Sequence, residues 1–147
     1  MPLSDTLRKK TVAQFIKYAC VGVMNTLLTL LVILFCKDWL NINEWVSNAI
    51  GYVAGFINSF VWNKHWVFRS HRGIFREMSA FCIGFLVCYA IQFAVTWLLA
   101  KQTPLNDMEI DIWGFVLSGY GIATIIGMIT YTIANFLYNK FFTFKSN

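Results

Sequence analysis

Phe15–Phe35 reads FIKYACVGVMNTLLTLLVILF, an apolar run that carries a single charged side chain, Lys17. An α-helix rises about 1.5 Å per residue and the hydrocarbon core of a bilayer is about 30 Å thick, so roughly 20 such residues make one crossing. Outward from this run the pattern recurs three times. The further segments cover about Trp45–Trp62, the shortest, about Ala80–Ala100, and about Ile112–Tyr138, which is long enough to tilt or emerge. The fold expected is therefore an all-α membrane protein of four transmembrane helices in one domain over residues 1–147. MPLSDTLRKK precedes a run too long for a signal-peptide core, with no small-residue cleavage site behind it, so the first helix is read as retained.

Composition agrees. Of the 147 residues 58% are hydrophobic and 13% charged, against about 25% charged in a soluble domain, which leaves too little polar surface to cover a globule. The net charge of +5 does not point to nucleic acid, because the basic residues form no face and sit in short segments between apolar runs. Arg8, Lys9, Lys10 and Lys17 open the first helix; Lys64, Arg69, Arg72 and Arg76 separate the second from the third; Lys140 and Lys145 follow the fourth. Lys37 and Lys101 alone occupy the other loops, beside Asp38, Glu44, Asp107, Glu109 and Asp111. By the positive-inside rule both termini are cytoplasmic and the acidic loops face outward. Trp39, Trp45, Trp62, Trp66, Trp97 and Trp113 all fall near expected helix ends, where amphipathic rings prefer to sit.

The chain also repeats itself. IGYVAGFINSFVWNKHWVFRS, Ile50–Ser70, aligns without gaps on IGMITYTIANFLYNKFFTFKS, Ile126–Ser146. Asn63 meets Asn139, Lys64 meets Lys140, Phe68 meets Phe144 and Ser70 meets Ser146. Apolar helices match one another by chance at Ile and Phe, but not through NKxxxF(R/K)S twice. A fainter echo, Cys20-Val21-Gly22 against Cys82-Ile83-Gly84, extends the match upstream. The expectation is two helical hairpins in tandem, a parallel repeat about an axis along the membrane normal.

Polar groups inside spans are costly and mark candidate sites. Asn48, Gly51, Gly55, Asn58 and Trp62 share one face of the second helix; Gly121, Thr124, Met128, Tyr131 and Asn135, continuing to Asn139, share one face of the fourth. The two faces are expected to form a common polar seam. Asn25 and Thr26 add to it from the first helix, Gln92 and Thr96 from the third. Each amide also has a structural reading, hydrogen bonding between helices, while Gly51xxxGly55 and Gly119xxxAla123xxxGly127 permit close helix packing or contact between copies in a homo-oligomer. Lys17, Lys64 and Lys140 lie where they either snorkel as anchors or form a cationic rim for a lipid phosphate, with Asn63 and Asn139 beside them.

Absences narrow the chemistry. No acidic residue falls within the four runs, which argues against a carboxylate-driven exporter. There is no DxD, no HExxH and no nucleophile with a base at workable spacing, so no enzyme activity or cofactor is expected. His65 and His71 lack partners for a metal site, and GxGxxT at Gly119 lies in an apolar helix as packing glycine. Cys20, Cys36, Cys82 and Cys88 show no CxxC and are read as small apolar packing residues.

YACVGVMNTLLTLLVILF, preceded by a basic residue, together with INSFVWNKHWVFRS and ANFLYNKFFTFKS, resembles the GtrA-like family of small four-helix bacterial membrane proteins. The resemblance runs from about Gln14 to Ser146. It implies a multi-pass protein of the cytoplasmic membrane that acts in cell-surface polysaccharide synthesis by flipping a polyprenyl-phosphate-linked sugar to the outer leaflet. By position the family's basic residue falls on Lys17, its opening glycine on Gly22 and its asparagine on Asn25; in the second ending, the asparagine falls on Asn135 and the basic residue on Lys140. The first ending departs at Ser59, with Asn58 beside it, and Ser79 stands where a basic residue is expected, leaving Arg76 nearest. The substrate-binding set is thus Lys17, Asn25, Asn58, Asn63, Lys64, Asn135, Asn139 and Lys140. The competing function is a non-transporting membrane partner or anchor of a glycosyltransferase.

Overall fold

A computed structural model describes residues 3–104, 108–112 and 115–145; Asp107, Trp113 and Ser146, used above in reading the outer loop, the helix ends and the repeat, lie outside them. Four helices dominate: α1 (Leu3–Leu34), α2 (Glu44–Trp62), α3 (Ile74–Gln102) and α4 (Gly119–Tyr138). Strands β1 (Glu109–Ile112) and β2 (Phe115–Ser118) pair between α3 and α4. Two compact units result, one of α1 and α2 joined by Phe144, the other spanning Ile74–Thr143.

In the first unit α1 begins twelve residues ahead of the expected Phe15. DTLRKKTVAQ contains no helix breaker and Asp5 sits in the first turn, where a negative charge favours the helix dipole, so the helix extends outward past the apolar run. Beyond Leu34 it passes into a π-helical turn, Phe35–Trp39. α2 is started by Asn43, whose side chain accepts a hydrogen bond from the Trp45 amide at 2.9 Å. The glycines decide how α1 and α2 meet. A Cβ on Gly51 would strike the Ile33 side chain, and one on Gly55 would strike Thr29 Oγ1. The Gly51xxxGly55 face is therefore spent inside the hairpin and is not open for contact between copies.

The second unit repeats the device. Gly127 of α4 seats against Thr96 and Gln92 of α3, and Tyr138 lies over Gly84. Two expected boundaries are corrected here. α3 starts at Ile74 rather than Ala80, and the last helix starts at Gly119 rather than Ile112, with Ile112 and Phe115–Ser118 in strands. EIDI alternates acid and isoleucine with the two-residue period of a strand and pairs antiparallel with FVLS, from Glu109 opposite Ser118 to Ile112 opposite Phe115. Ser118 then caps α4 by accepting from the Gly121 amide at 3.3 Å.

Among the described residues three helices are long and apolar enough to cross a bilayer, Asp5–Trp39, Ile74–Gln102 and Gly119–Thr143, their apolar stretches reaching mean hydropathies of 2.3, 2.0 and 1.4. α2 has the length, 19 residues or about 28 Å. It is diluted by Ser47, Asn48, Asn58 and Ser59, and does not reach the same apolarity. The molecule is a multi-pass membrane protein. The five tryptophans among the described residues all lie at or near helix ends and are solvent- or lipid-exposed. All four cysteines are free thiols, Cys36 and Cys88 buried.

Candidate functional site

α2 and α4 end alike. Each passes into a five-residue π-helical turn, Asn63–Val67 after α2 and Asn139–Thr143 after α4, so both turns open on an Asn-Lys pair. A π-turn widens the helix by one residue and recurs at functional sites. Here it draws the leading asparagine inward: Asn63 is 1% exposed and Asn139 fully buried.

In the first unit the Asn63 amide nitrogen donates to the Ser59 carbonyl at 2.8 Å, with Ser59 Oγ at 3.3 Å. A carbonyl only accepts, so this bond fixes which end of the amide is nitrogen. The other end, Oδ1, is buried with no hydrogen-bond partner. In the second unit the Asn139 nitrogen donates to Asn135 Oδ1 at 3.2 Å, and the Asn135 nitrogen donates to the Tyr131 hydroxyl at 3.1 Å. Asn139 Oδ1 is again without a partner, as is Thr143 Oγ1 one turn on. Ser59, which departs from the family pattern by replacing the equivalent of Asn135, fills the same office of holding the next asparagine. An unsatisfied buried acceptor costs about 1–3 kcal/mol, and the same orphan recurs at two positions that align in the repeat. The atoms left open accept hydrogen bonds, which suits hydroxyl donors.

The remaining candidates divide. Asn58 donates to Asn25 Oδ1 at 3.2 Å, tying α2 to α1 half-buried within the hairpin. Thr26 returns its hydroxyl to the Gly22 carbonyl at 3.1 Å, and Gly22 itself faces open space. Lys17 is half-buried with Nζ 5.5 Å from the centroid of Trp66, a cation–π contact that holds the ammonium near the mouth of the first hairpin. Lys140, also half-buried, lies 5.9 Å from Phe136 and 5.7 Å from Phe141. Lys64 is different: only 4% exposed, its Nζ donates to the Arg72 carbonyl at 2.7 Å and staples the loop that follows α2. Phe68 and Phe144, equivalent in the repeat, stack at 5.3 Å, with Phe60 5.8 Å from Phe144 and Tyr18 6.5 Å from Phe68. They form an aromatic floor in the first unit.

Glu77 was missed. Assigned to the basic loop, it lies in the first turn of α3 and is 1% exposed. The four apolar runs still contain no acidic residue, but α3 starts six residues ahead of its run and so brings Glu77 into a helix of membrane-crossing length. The signal was present: Glu77, Phe81, Gly84 and Cys88 follow at steps of four, three and four, one buried stripe. Thr143 was also missed: it aligns with the apolar Val67 in the repeat, so repetition does not single it out.

Residues 17–144 match the model of the GtrA/DPMS transmembrane domain. A cell wall teichoic acid glycosylation protein, GtcA, of Listeria innocua is 28% identical over 133 residues, which cover 87% of this chain and 82% of that protein. GtcA of Listeria monocytogenes serovar 1/2a is 23% identical over 132 residues, with coverage of 87% and 82%. A bactoprenol-linked glucose translocase of Shigella phage SfII is 23% identical over 135 residues, with coverage of 89% and 94%. The matched region opens on Lys17 and closes on Phe144, taking in both hairpins and both asparagine turns, and the chain belongs to the GtrA/DPMS transmembrane domain family.

Proposed function

We propose that the protein translocates a polyprenyl-phosphate-linked sugar across the cytoplasmic membrane for glycosylation of a cell-surface polymer. The observation that carries the reading is the pair of buried amide oxygens, Asn63 Oδ1 and Asn139 Oδ1, each amide anchored through its nitrogen with its oxygen unpaired. In the cargo the sugar supplies hydroxyl donors and the phosphate supplies an anion. Lys17 in the first unit and Lys140 in the second, each partly exposed beside aromatic rings, offer a cation for the phosphate; Asn63 and Asn139 offer acceptors for hydroxyls, with Asn135 orienting Asn139 and the Asn58–Asn25 bond tying α2 to α1. Lys64 serves by fixing the turn that presents Asn63. No bond is made or broken, and the polyprenyl chain stays in lipid. The names of the relatives, a teichoic acid glycosylation protein and a bactoprenol-linked glucose translocase, support this assignment.

In the same reading the domain is one functional unit, α2 crosses the membrane beside α1 as the second of four spans, the hairpins are a parallel repeat, and both termini are cytoplasmic. Reconstitution in liposomes with a labelled polyprenyl-phosphate sugar tests the activity. Transbilayer movement above protein-free vesicles is expected, falling several-fold in Lys17→Ala and Lys140→Ala at normal expression. Movement no faster than in empty vesicles, with co-purification of a membrane glycosyltransferase, replaces transport by an accessory role.

A further inference from the structure

α1 has two working faces. Val21, Asn25, Thr29 and Ile33 turn toward α2. The opposite face carries two adjoining shallow, open depressions, both lined by α1 alone, that share Ile16. The first is lined by Asp5, Arg8, Lys9, Val12 and Ala13; the second continues past Phe15, Ala19, Cys20, Val23 and Met24 to Leu27. At steps of three and four these residues make one stripe, cationic at the start and apolar beyond. The small side chains Ala13, Ala19 and Cys20 leave its floor low, and Val12, Ile16, Val23 and Leu27 stand exposed along it.

We infer that this stripe is a seat for an anionic glycerophospholipid, its phosphate on Arg8 and Lys9 and an acyl chain along Ile16 to Leu27. The charge order matches an anionic amphiphile, with two cations against the single carboxylate of Asp5. Depth matches as well. Arg8 and Lys9 stand about 10 Å beyond Phe15 along the helix, near the headgroup layer that borders the hydrocarbon. The bilayer lipid is favoured over the polyprenyl-linked cargo because the stripe holds no side-chain amide to meet sugar hydroxyls, and Phe15 is the single aromatic residue lining it. The site does not depend on the translocation reading.

Purified protein in neutral detergent is titrated with phosphatidylglycerol and with phosphatidylcholine of the same chains, and lipid retention is read by native mass spectrometry. Phosphatidylglycerol should bind about tenfold more tightly, the size expected when one or two basic residues face an anionic headgroup. The double variant Arg8→Gln/Lys9→Gln should erase that preference, while Lys10→Gln, which removes a neighbouring charge outside the stripe, should keep it. Ala19→Phe, which raises the floor, should weaken both lipids. Equal binding of the two lipids by the native protein, or a preference that survives the double variant, overturns the site. Polyprenyl phosphate competing as strongly as phosphatidylglycerol overturns the choice of ligand and returns the stripe to the cargo.

Discussion

A residue that serves only the fold and one that serves a ligand answer differently to truncation. Asn63→Leu removes an orphaned buried acceptor together with its bond to Ser59, losses and gains of about 1 kcal/mol each. Thermal unfolding should therefore stay within about 1 kcal/mol of the native protein while lipid-linked sugar flux falls several-fold; a parallel fall in both would make Asn63 structural. The glycines give a sharper test of packing. Gly55→Ala should destabilise by about 1–3 kcal/mol, and Thr29→Ala in the same chain should restore most of it, because Thr29 Cβ then lies at an ordinary 3.6 Å. Gly127→Ala should be rescued less completely by Thr96→Ala, since the Gln92 carbonyl remains 3.3 Å away. Arg69 holds φ at 52° just after the π-turn, a left-handed conformation that costs a side-chain-bearing residue about 1–2 kcal/mol. Arg69→Gly should raise the unfolding free energy by about 0.5–1 kcal/mol, seen as a higher midpoint in detergent.

At the scale of elements, the existence of the helices was legible and their ends were not. Apolar runs announce burial in lipid, but α1 and α3 extend beyond theirs through polar residues of good helix propensity, where nothing apolar marks the boundary. The paired strands Glu109–Ile112 and Phe115–Ser118 lie across an acid-to-apolar change that resembles the start of a span, although the two-residue alternation of the first was readable. The π-turns had no signal of their own, since NKHWV and NKFFT suit an α-helix equally well. Only their recurrence at the repeat singled them out. Deleting the exposed His65 should remove the extra residue and return the first turn to α-geometry. Membrane insertion should survive while flux is lost; retained flux would show that the wide turn is dispensable. α2 supplies a second expectation. Alone, fused to a reporter for insertion, it should enter the membrane poorly, and Asn48→Leu with Asn58→Leu should improve it markedly.

For the molecule as a whole, the candidate site was partly legible. Asn63, Asn139, Lys17 and Lys140 could be named from repetition and charge, whereas the difference between Lys17, over a ring, and Lys64, bonded to the Arg72 carbonyl, depends on how the loop folds back. Glu77 shows the same limit: its burial follows from a helix boundary that composition did not mark. One feature described above also reaches into biosynthesis. Phe144 completes the aromatic floor with Phe60 and Phe68, yet it leaves the ribosome only after α3 and α4 have been made. The first hairpin must therefore wait at the translocon with its floor unfinished, exposed to quality-control proteases for the time taken to synthesise the second. Ribosome stalling between the two hairpins should yield a nascent protein degraded far faster than the finished one.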